Sequence, residues 1–184
     1  MHRQYNPNEI TRQIVPSDFD PDEIRYQVIP DDFNPGQTKV IVNVLKLTDT
    51  ATIPARGSDE SAGYDIYADE DVVIPPHSRH CVHTGLAMEI PKGYFGGIYA
   101  RSGIALKNGV RPSNCVGVID SDYRGEIGVA LTNDSDDEFK IKTGYRIAQL
   151  IIHKLPNIEF IEVDALSNTV RSDGGFGSTG VSNG

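Results

Sequence analysis

Short runs of valine, isoleucine and aromatic residues, separated by glycine and proline, fill most of the chain from Lys39 onward. Valine, isoleucine and aromatic residues favour strands, and glycine and proline mark the turns between them. These runs predict strands over residues 39–47, 71–74, 81–90, 94–100, 126–131, 139–142 and 146–153. Many short strands at this spacing predict an all-β protein built as a sandwich, a jelly roll or a barrel.

One stretch interrupts the strand pattern with a helical one. Ser102–Lys107 has helix-forming residues, and Asn108-Gly109 is a stop signal. Serine is a favoured N-cap, so Ser102 is predicted to cap a short helix. The free N–H groups at that terminus, next to Arg101, would suit an anion, although a plain capped turn explains the same residues.

Length and charge limit the classes of function. A chain of 184 residues with a net charge of -9 is one domain, or one domain with an appendage. It has no basic cluster, so we expect no nucleic-acid partner. It has no apolar run long enough for a membrane span and no secretory signal. Cys81 and Cys115 are too few for a disulfide framework, which favours a reduced, cytoplasmic location.

Residues 1–38 are set apart by an internal repeat. Arg12–Pro21 reads RQIVPSDFDP, and Tyr26–Pro35 reads YQVIPDDFNP 14 residues later. Proline in each copy and a net charge of -4 over this segment predict an extended arm outside the folded core. Two interpretations stay open: a solvated tail, or a linear motif built on Phe19 and Phe33 that docks on an unknown partner.

The other end of the chain also differs from the middle. Residues 167–184 are polar and rich in glycine, so residues 39–166 are predicted to form the core domain. Arg171, Phe176, Ser178 and Thr179 could act together in a mobile lid, with charge for phosphate and a ring for a base. A flexible terminus without function is the alternative.

The stretch Gly117–Asn133 carries the most informative carboxylate. Ile127, Val129 and Leu131 alternate with smaller or polar residues, which predicts a half-buried strand returning from a hairpin. Asp120 is then expected where a buried strand enters a turn. A carboxylate in that place is held by rigid elements and can reach a ligand, although most turn aspartates only satisfy local backbone groups.

Five segments occur in an order and at a spacing that resemble the five motifs of the trimeric dUTPases, the deoxyuridine triphosphate nucleotidohydrolases. The resemblance spans about residues 40–180 and leaves the N-terminal arm outside. The segments are Ser61–Ile66 (SAGYDI), Ala100–Ala105 (ARSGIA), Gly117–Gly125 (GVIDSDYRG), Tyr145–Leu150 (YRIAQL) and Arg171–Gly180 (RSDGGFGSTG).

This resemblance implies a jelly-roll subunit with one short helix and a homotrimer whose active sites lie between subunits. It implies a dUTP diphosphatase, in which water attacks the α-phosphorus of dUTP and yields dUMP and pyrophosphate. Such an enzyme keeps uracil out of DNA and supplies dUMP for dTMP synthesis. Mg²⁺ is the implied cofactor, bound through phosphate and water with no direct protein ligand.

The resemblance also implies roles for individual residues. Asp120 matches the base that orients and deprotonates the attacking water. Tyr123 matches the ring under the deoxyribose, and Asn114 and Gly117 match the uracil-binding backbone. The phosphate-binding residues are Arg101, Ser102, Gly103 and Gln149. The lid residues are Arg171, Phe176, Gly177, Ser178 and Thr179. Asp65 and Arg146 are expected to support the site.

Two positions depart from the family pattern, and two rival functions remain. Tyr145 occupies a position where aspartate is usual, and Ser172 one where glycine is common, so we expect altered loop packing or lid kinetics.

The first rival function is that of the related dCTP deaminases, which need a glutamate at the position of Ala130. Alanine cannot move a proton, so deamination is not expected. A jelly-roll protein that binds or regulates without catalysis is the other alternative.

Overall fold

A computed structural model describes residues 29–30 and 38–175, and the regular secondary structure of the described part is β-strand apart from one short helix. This confirms the predicted all-β class. The strands are β1 (Ile29–Pro30), β2 (Thr38–Lys39), β3 (Asn43–Lys46), β4 (Ala55–Arg56), β5 (Tyr64–Tyr67), β6 (Val72–Ile74), β7 (Arg79–Val82), β8 (Leu86–Glu89), β9 (Tyr94–Tyr99), β10 (Val110–Pro112), β11 (Gly117–Ile119), β12 (Val129–Asn133), β13 (Phe139–Ile141) and β14 (Arg146–Lys154), and the helix is α1 (Ser102–Asn108).

The strands form one larger sheet and several small ones, and every described pairing is antiparallel. The five-stranded sheet has the order β11-β9-β14-β5-β4, and a three-stranded sheet has the order β10-β12-β7. The remaining pairs are β1-β2, β3-β8 and β6-β13. Consecutive strands often lie in different sheets, so the chain repeatedly crosses between layers around one core.

The core consists mostly of branched aliphatic side chains from the five-stranded and three-stranded sheets and from the β3-β8 and β6-β13 pairs. Ile66 and Ile74 are fully buried, and so is Leu86. The alternation predicted after the Asp120 turn is confirmed for Ile127, Val129 and Leu131, each only 1% exposed. Burial of such side chains contributes about 1.5–3 kcal/mol each and supplies most of the stabilisation of the layers.

The strands differ from the prediction at two places, one containing a glycine and one containing a polar residue within a strand. The run 81–90 is two strands, β7 and β8, because Gly85 has a left-handed backbone (φ 63°) that ends the first. Conversely, β5 was not predicted, because its sequence YDIY places an aspartate in the middle of an otherwise apolar strand.

The predicted hairpin around Asp120 is wrong. β11 pairs with β9, whereas β12 pairs with β10 and β7, so the two strands flanking the turn belong to different sheets. The returning segment instead joins β8: Glu126 bridges Ala87, and the Ile127 N–H donates to the carbonyl of Leu86 at 2.8 Å. The alternation was interpreted correctly as one buried face, but alternation does not identify the neighbouring strand.

The predicted N-cap of the helix is also wrong by one residue. Ser102 is the first helical residue, and the N-cap is Arg101, whose extended backbone (φ −87°, ψ 126°) precedes the helix and whose side chain makes no capping bond. The predicted stop is confirmed, since Gly109 adopts the left-handed conformation (φ 64°) of a helix C-terminus.

Beyond β14 the described chain has no regular secondary structure. Residues 155–170 are exposed, including large apolar side chains: Phe160 is 94% exposed and Leu166 is 88% exposed. Apolar side chains of this size are seldom left fully in water by a folded domain. In the described part of the chain, no helix has the length and apolar character needed to cross a membrane.

Candidate functional site

Strand register brings three of the motifs together at one end of the large sheet. On β14, Gln149 lies opposite Asp65 of β5 on one side and opposite Tyr99 of β9 on the other. Arg101 follows β9 by two residues. Residues far apart in sequence, from the first, second and fourth motifs, therefore meet because antiparallel pairing aligns the ends of their strands.

The carboxylate of Asp65 holds two arginines at this end of the sheet. Its Oδ1 accepts from Nε of Arg101 at 2.9 Å, and its Oδ2 accepts from Nη1 of Arg146 at 3.2 Å. The Asp65 side chain is only 14% exposed, whereas Arg146 is 51% exposed. One partly buried carboxylate thus keeps two like charges close together, leaving the remaining N–H donors of both for an anion.

Gln149 is fixed from two sides. Its Nε2 donates to the carbonyl of Ala100 at 2.8 Å. A Cβ added to Gly63 would lie 2.5 Å from Oε1 of Gln149, so only glycine allows this approach. Ser102 and Gly103 are exposed at the start of α1, beside this group.

Asp120 lies at a second location, in the turn that follows β11. The Tyr123 N–H donates to the Asp120 carbonyl at 3.2 Å and closes the turn. The Asp120 side chain is exposed, and among the residues that the structure describes its carboxylate has no hydrogen-bond partner. It borders an open cavity of about 580 Å³ together with Phe95 and Lys92. The sequence prediction that Asp120 lies where a strand enters a turn is confirmed, but the predicted burial of that strand is wrong, because Val118 in the middle of β11 is 58% exposed.

The ring of Tyr123 stands on the same turn. Its hydroxyl donates to the Glu126 carbonyl at 3.0 Å, and an added Cβ on Gly125 would come within 2.5 Å of that hydroxyl oxygen. The side chain is nevertheless exposed on its other face, since Tyr123 as a whole is 45% exposed. The ring is therefore held in place and available to a ligand.

Asn114 and Gly117 lie at the opposite end of β11. The Asn114 carbonyl accepts from the Val116 N–H at 2.7 Å, and Cys115 between them has a left-handed backbone with φ 65°. The amide Nδ2 of Asn114 lies 3.2 Å from where a Cβ on Gly117 would be. This tight turn leaves backbone amide groups and one side-chain amide near the surface, as base recognition requires.

Within one chain, the Asp120 turn and the arginine group lie at opposite ends of β9. Ile119, just before Asp120, lies opposite Gly96, whereas Arg101 follows the far end of that strand. With about 3.3 Å of rise per residue, the two groups are roughly 15–20 Å apart. A single described chain does not bring the predicted base next to the predicted phosphate-binding arginines.

The C-terminal motif is described only in part. Nε of Arg171 donates to the Gly174 carbonyl at 2.8 Å, which folds the segment onto itself. Ser172 has φ 46°, a left-handed backbone that explains why glycine suits this position. The predicted lid residues Phe176, Gly177, Ser178 and Thr179 lie outside the described residues. Tyr145, the other departure, is exposed, and its backbone carbonyl accepts from the Ala68 N–H at 2.8 Å.

Glu126 supports the site and was not singled out from sequence. Its carboxylate accepts from the Gly85 N–H at 2.9 Å and from Nδ1 of His83 at 3.0 Å, while its carbonyl holds Tyr123. Burial by itself raises the pKa of Glu126, but these hydrogen bonds outweigh it and lower the pKa overall. The hydrogen bond to Glu126, with its charge, raises the pKa of His83.

The described residues contain no group of three or more side chains suited to hold a metal ion. The exposed carboxylate of Asp120 still offers oxygen atoms of the kind Mg²⁺ prefers. This carboxylate is thus one group that could hold a magnesium ion entering with a ligand.

Comparison with known proteins decides the family. The family model described as dUTPase matches residues 49–180. The chain belongs to the dUTPase family. Its residues 1–48 lie outside that match.

Relatives and solved structures of this family are similar along most of their length. The deoxyuridine 5'-triphosphate nucleotidohydrolase of Nautilia profundicola is 50% identical over 139 residues, covering 76% of this chain and 98% of the relative. The enzyme of the same name from Arabidopsis thaliana is 49% identical over 138 residues, covering 75% and 82%. The dUTPase of Staphylococcus bacteriophage 80alpha with dUPNHPP superimposes with a TM-score of 0.72 at 31% identity, covering 77% of this chain and 99% of that one. The predicted jelly-roll fold is thereby confirmed.

Proposed function

We propose that this protein is a dUTP diphosphatase, which hydrolyses dUTP to dUMP and pyrophosphate. The observation that carries the proposal is the family match over residues 49–180, within which Asp120 stands exposed on a fixed turn. Relatives about half identical to this chain are named deoxyuridine 5'-triphosphate nucleotidohydrolases.

Asp120 acts on the water in this reaction. Its carboxylate accepts a hydrogen bond from a water molecule and takes its proton as the oxygen attacks the α-phosphorus. The bond from the α-phosphorus to the oxygen bridging to the β-phosphorus breaks, and pyrophosphate leaves. A carboxylate is basic enough because the charge on the phosphates is already neutralised by arginine and metal.

Tyr123 and the Asn114–Gly117 turn select the nucleoside. The ring of Tyr123, fixed through Glu126, packs under the deoxyribose and leaves no room for a 2′-hydroxyl. Asn114 and the backbone through Gly117 pair with uracil. Cytosine would leave buried donors and acceptors unpaired, which costs far more than the loss of an apolar contact.

The arginine group binds the triphosphate. Arg101 and Arg146, held side by side by Asp65, present their free N–H groups to phosphate oxygens, with Ser102, Gly103 and Gln149 alongside. Mg²⁺ is the proposed cofactor: bound to the triphosphate, it would neutralise phosphate charge, and the carboxylate of Asp120 would be an oxygen ligand available near it. One dUTPase structure, from phage phi11 of S. aureus, is described as showing the coordination of a structural Mg(II) ion.

The active site lies between copies of the chain in a homotrimer. The separation of roughly 15–20 Å along β9 prevents one chain from applying Asp120 and Arg101 to a single triphosphate. A second copy of the chain could place its own Arg101 and Arg146 against the Asp120 turn, so that both groups reach the same triphosphate. The exposed apolar residues of 155–170 supply surface for such contacts.

Mixing two inactive variants tests the shared site. Asp120→Asn removes the proposed base and Arg101→Gln removes a phosphate-binding arginine, so neither variant is active as a homotrimer. When the two are unfolded together and refolded at equal amounts, about a quarter of the sites at random receive both intact halves, and activity returns. The same variants refolded separately and then combined are the control. No recovery in the co-refolded sample would show that both halves come from one chain.

An assay with five substrates tests the function itself. Each deoxynucleoside triphosphate, dUTP included, is incubated with the protein and Mg²⁺, and pyrophosphate and ammonia are measured. Pyrophosphate from dUTP alone is expected. Ammonia from dCTP would establish a deaminase instead, in spite of Ala130, and absence of both products would favour a binding protein.

Residues 1–38 are proposed as a docking arm that is separate from catalysis. The two repeat copies carry Phe19 and Phe33 among acidic residues, outside the family match, and these residues lie outside the described part of the chain. Deleting residues 1–37 should leave turnover intact and abolish binding to a partner. A deletion that changes neither binding nor assembly would leave the arm as a solvated tail.

A further inference from the structure

The guanidinium group of Arg124 binds the turn that carries Asp120 and Tyr123, and its side chain lines the same open cavity as Asp120. Its Nη1 donates to the Ser121 carbonyl at 2.7 Å and to the Tyr123 carbonyl at 3.0 Å. One side chain thus supplies the donor for two carbonyls of a single exposed turn. Among the described residues, the other hydrogen bonds of the turn run from the Tyr123 N–H to the Asp120 carbonyl and from the Tyr123 hydroxyl to the Glu126 carbonyl, and neither satisfies these two carbonyls.

Arg124 is in turn fixed to a packed strand. Its Nε lies 3.4 Å from Oε1 of Glu89, the last residue of β8. The other carboxylate oxygen of Glu89 accepts from Nδ2 of Asn43 on β3 at 2.8 Å. The Glu89 side chain is 22% exposed, and that of Arg124 is 45% exposed. The chain of contacts runs from the β3-β8 pair through Glu89 and Arg124 to the turn.

The chemistry of arginine suits this connection. Its planar group offers several donors in fixed directions, so one side chain can bind two carbonyls and a carboxylate together. Lysine carries a compact charge without that fixed geometry and can satisfy only part of the set. The rest of the loop is held by β11 before Asp120, by the Glu126–Ala87 bridge after Tyr123, and by the two hydrogen bonds that the N–H and the hydroxyl of Tyr123 donate.

We propose that Arg124, held by Glu89, is a positioning residue that fixes Asp120 and Tyr123 relative to each other for dUTP hydrolysis. This rests on the proposed function, since it assigns no new reaction. Arg124 acts through the two backbone carbonyls of the turn that its Nη1 binds. Because one guanidinium holds both residues, its loss affects the rate of water attack and the selection against a 2′-hydroxyl together.

The test compares Arg124→Gln with wild type on dUTP and UTP. A modest displacement of the reacting groups is expected to lower kcat on dUTP about tenfold. The preference for dUTP over UTP, measured as the ratio of kcat/KM values, is expected to fall at least about threefold. Arg124→Lys should recover part of both. Arg79→Gln, which removes an equal charge from exposed Arg79 on β7, is the control and should match wild type.

Glu89→Gln and the double variant test the connection to β8. If Glu89 acts through Arg124, the double variant should be no worse than Arg124→Gln alone. Fully additive losses would refute the link. Arg124→Gln with unchanged kcat and unchanged preference would refute the positioning role, and so would a lowered melting temperature with both kinetic values unchanged. A wild-type protein that releases no pyrophosphate from dUTP would instead overturn the proposed function.

Discussion

At the scale of single residues, Asp120 is the group with the clearest chemical consequence. Its carboxylate is exposed and, within the described part of the chain, not committed to another side chain. Asp120→Asn keeps the shape and removes the proton acceptor, so kcat should fall about a hundredfold or more with little change in affinity for a non-hydrolysable analogue. Steady-state kinetics and calorimetric titration with that analogue measure the two quantities. Full turnover in the variant would exclude Asp120 as the base.

The His83–Glu126 pair makes a residue-scale prediction about pH. The raised pKa of His83 contributes stability that is complete below its ordinary value of 6.5 and disappears as the pH rises through the folded value. The lowered pKa of Glu126 contributes stability above its ordinary value of 4.5 and loses it as the pH falls through the folded value. The pair therefore stabilises the fold most between about pH 4.5 and 6.5.

His83→Gln measures this contribution. The side chain of His83 is 63% exposed, so solvent screens the pair and the effect is small, a few tenths of a kcal/mol or about 1 °C in melting temperature. The difference between wild type and variant should be larger near pH 5.5 than near pH 8. When Glu126 is already replaced by Gln, the effect of His83→Gln on stability should no longer depend on pH in this way. An equal difference at both pH values would contradict the assignment.

At the scale of elements, helix α1 carries two glycines with opposite requirements. Gly109 ends the helix at φ 64°, and an added Cβ would lie 3.3 Å from the Ser135 backbone nitrogen. Gly109→Ala should therefore cost about 1–2 kcal/mol. Gly103 has no atom within 4 Å of an added Cβ and no positive φ, so Gly103→Ala should stabilise by about 0.5–1 kcal/mol. Thermal melts at one protein concentration compare the two, and similar changes for both would refute the backbone argument.

The same elements show how far the sequence could predict the structure. The helix and its glycine stop, and the buried face of Ile127, Val129 and Leu131, follow from local rules that depend only on neighbouring residues. The hairpin at Asp120 was wrong because strand partners depend on the whole chain: β11 pairs with β9, which comes earlier in the sequence. Alternation shows that a strand has a buried face but leaves its partner open.

The site divides in the same way. Motif order indicated which residues matter, and the structure confirms the location of Asp120 on a turn. No local pattern predicted that Asp65 would hold Arg101 and Arg146 together, because that contact depends on the register of β5, β9 and β14. Arg124 gave no separate signal either, since an arginine after a turn is usually solvated.

At the scale of the whole molecule, the C-terminal segment changes in character along its length, which makes a prediction about assembly and closure. Residues 155–170 expose apolar side chains that a single chain leaves in water, whereas the residues after Val170 are mostly polar and glycine-rich. The apolar part is suited to contacts between copies, and the glycine-rich part to closing over bound nucleotide. Two truncations with different end points should therefore have different consequences.

A chain ending at Val170 keeps the apolar segment and loses most of the proposed lid, including Arg171 and Phe176. It should remain a trimer in sedimentation and lose turnover on dUTP about a hundredfold, because the lid excludes water and completes phosphate binding. A chain ending at Leu155 also loses the apolar segment and should dissociate. Dissociation of the chain that ends at Val170 would make the glycine-rich end a structural element. An intact trimer of the chain that ends at Leu155 would place the contacts between copies elsewhere on the jelly roll.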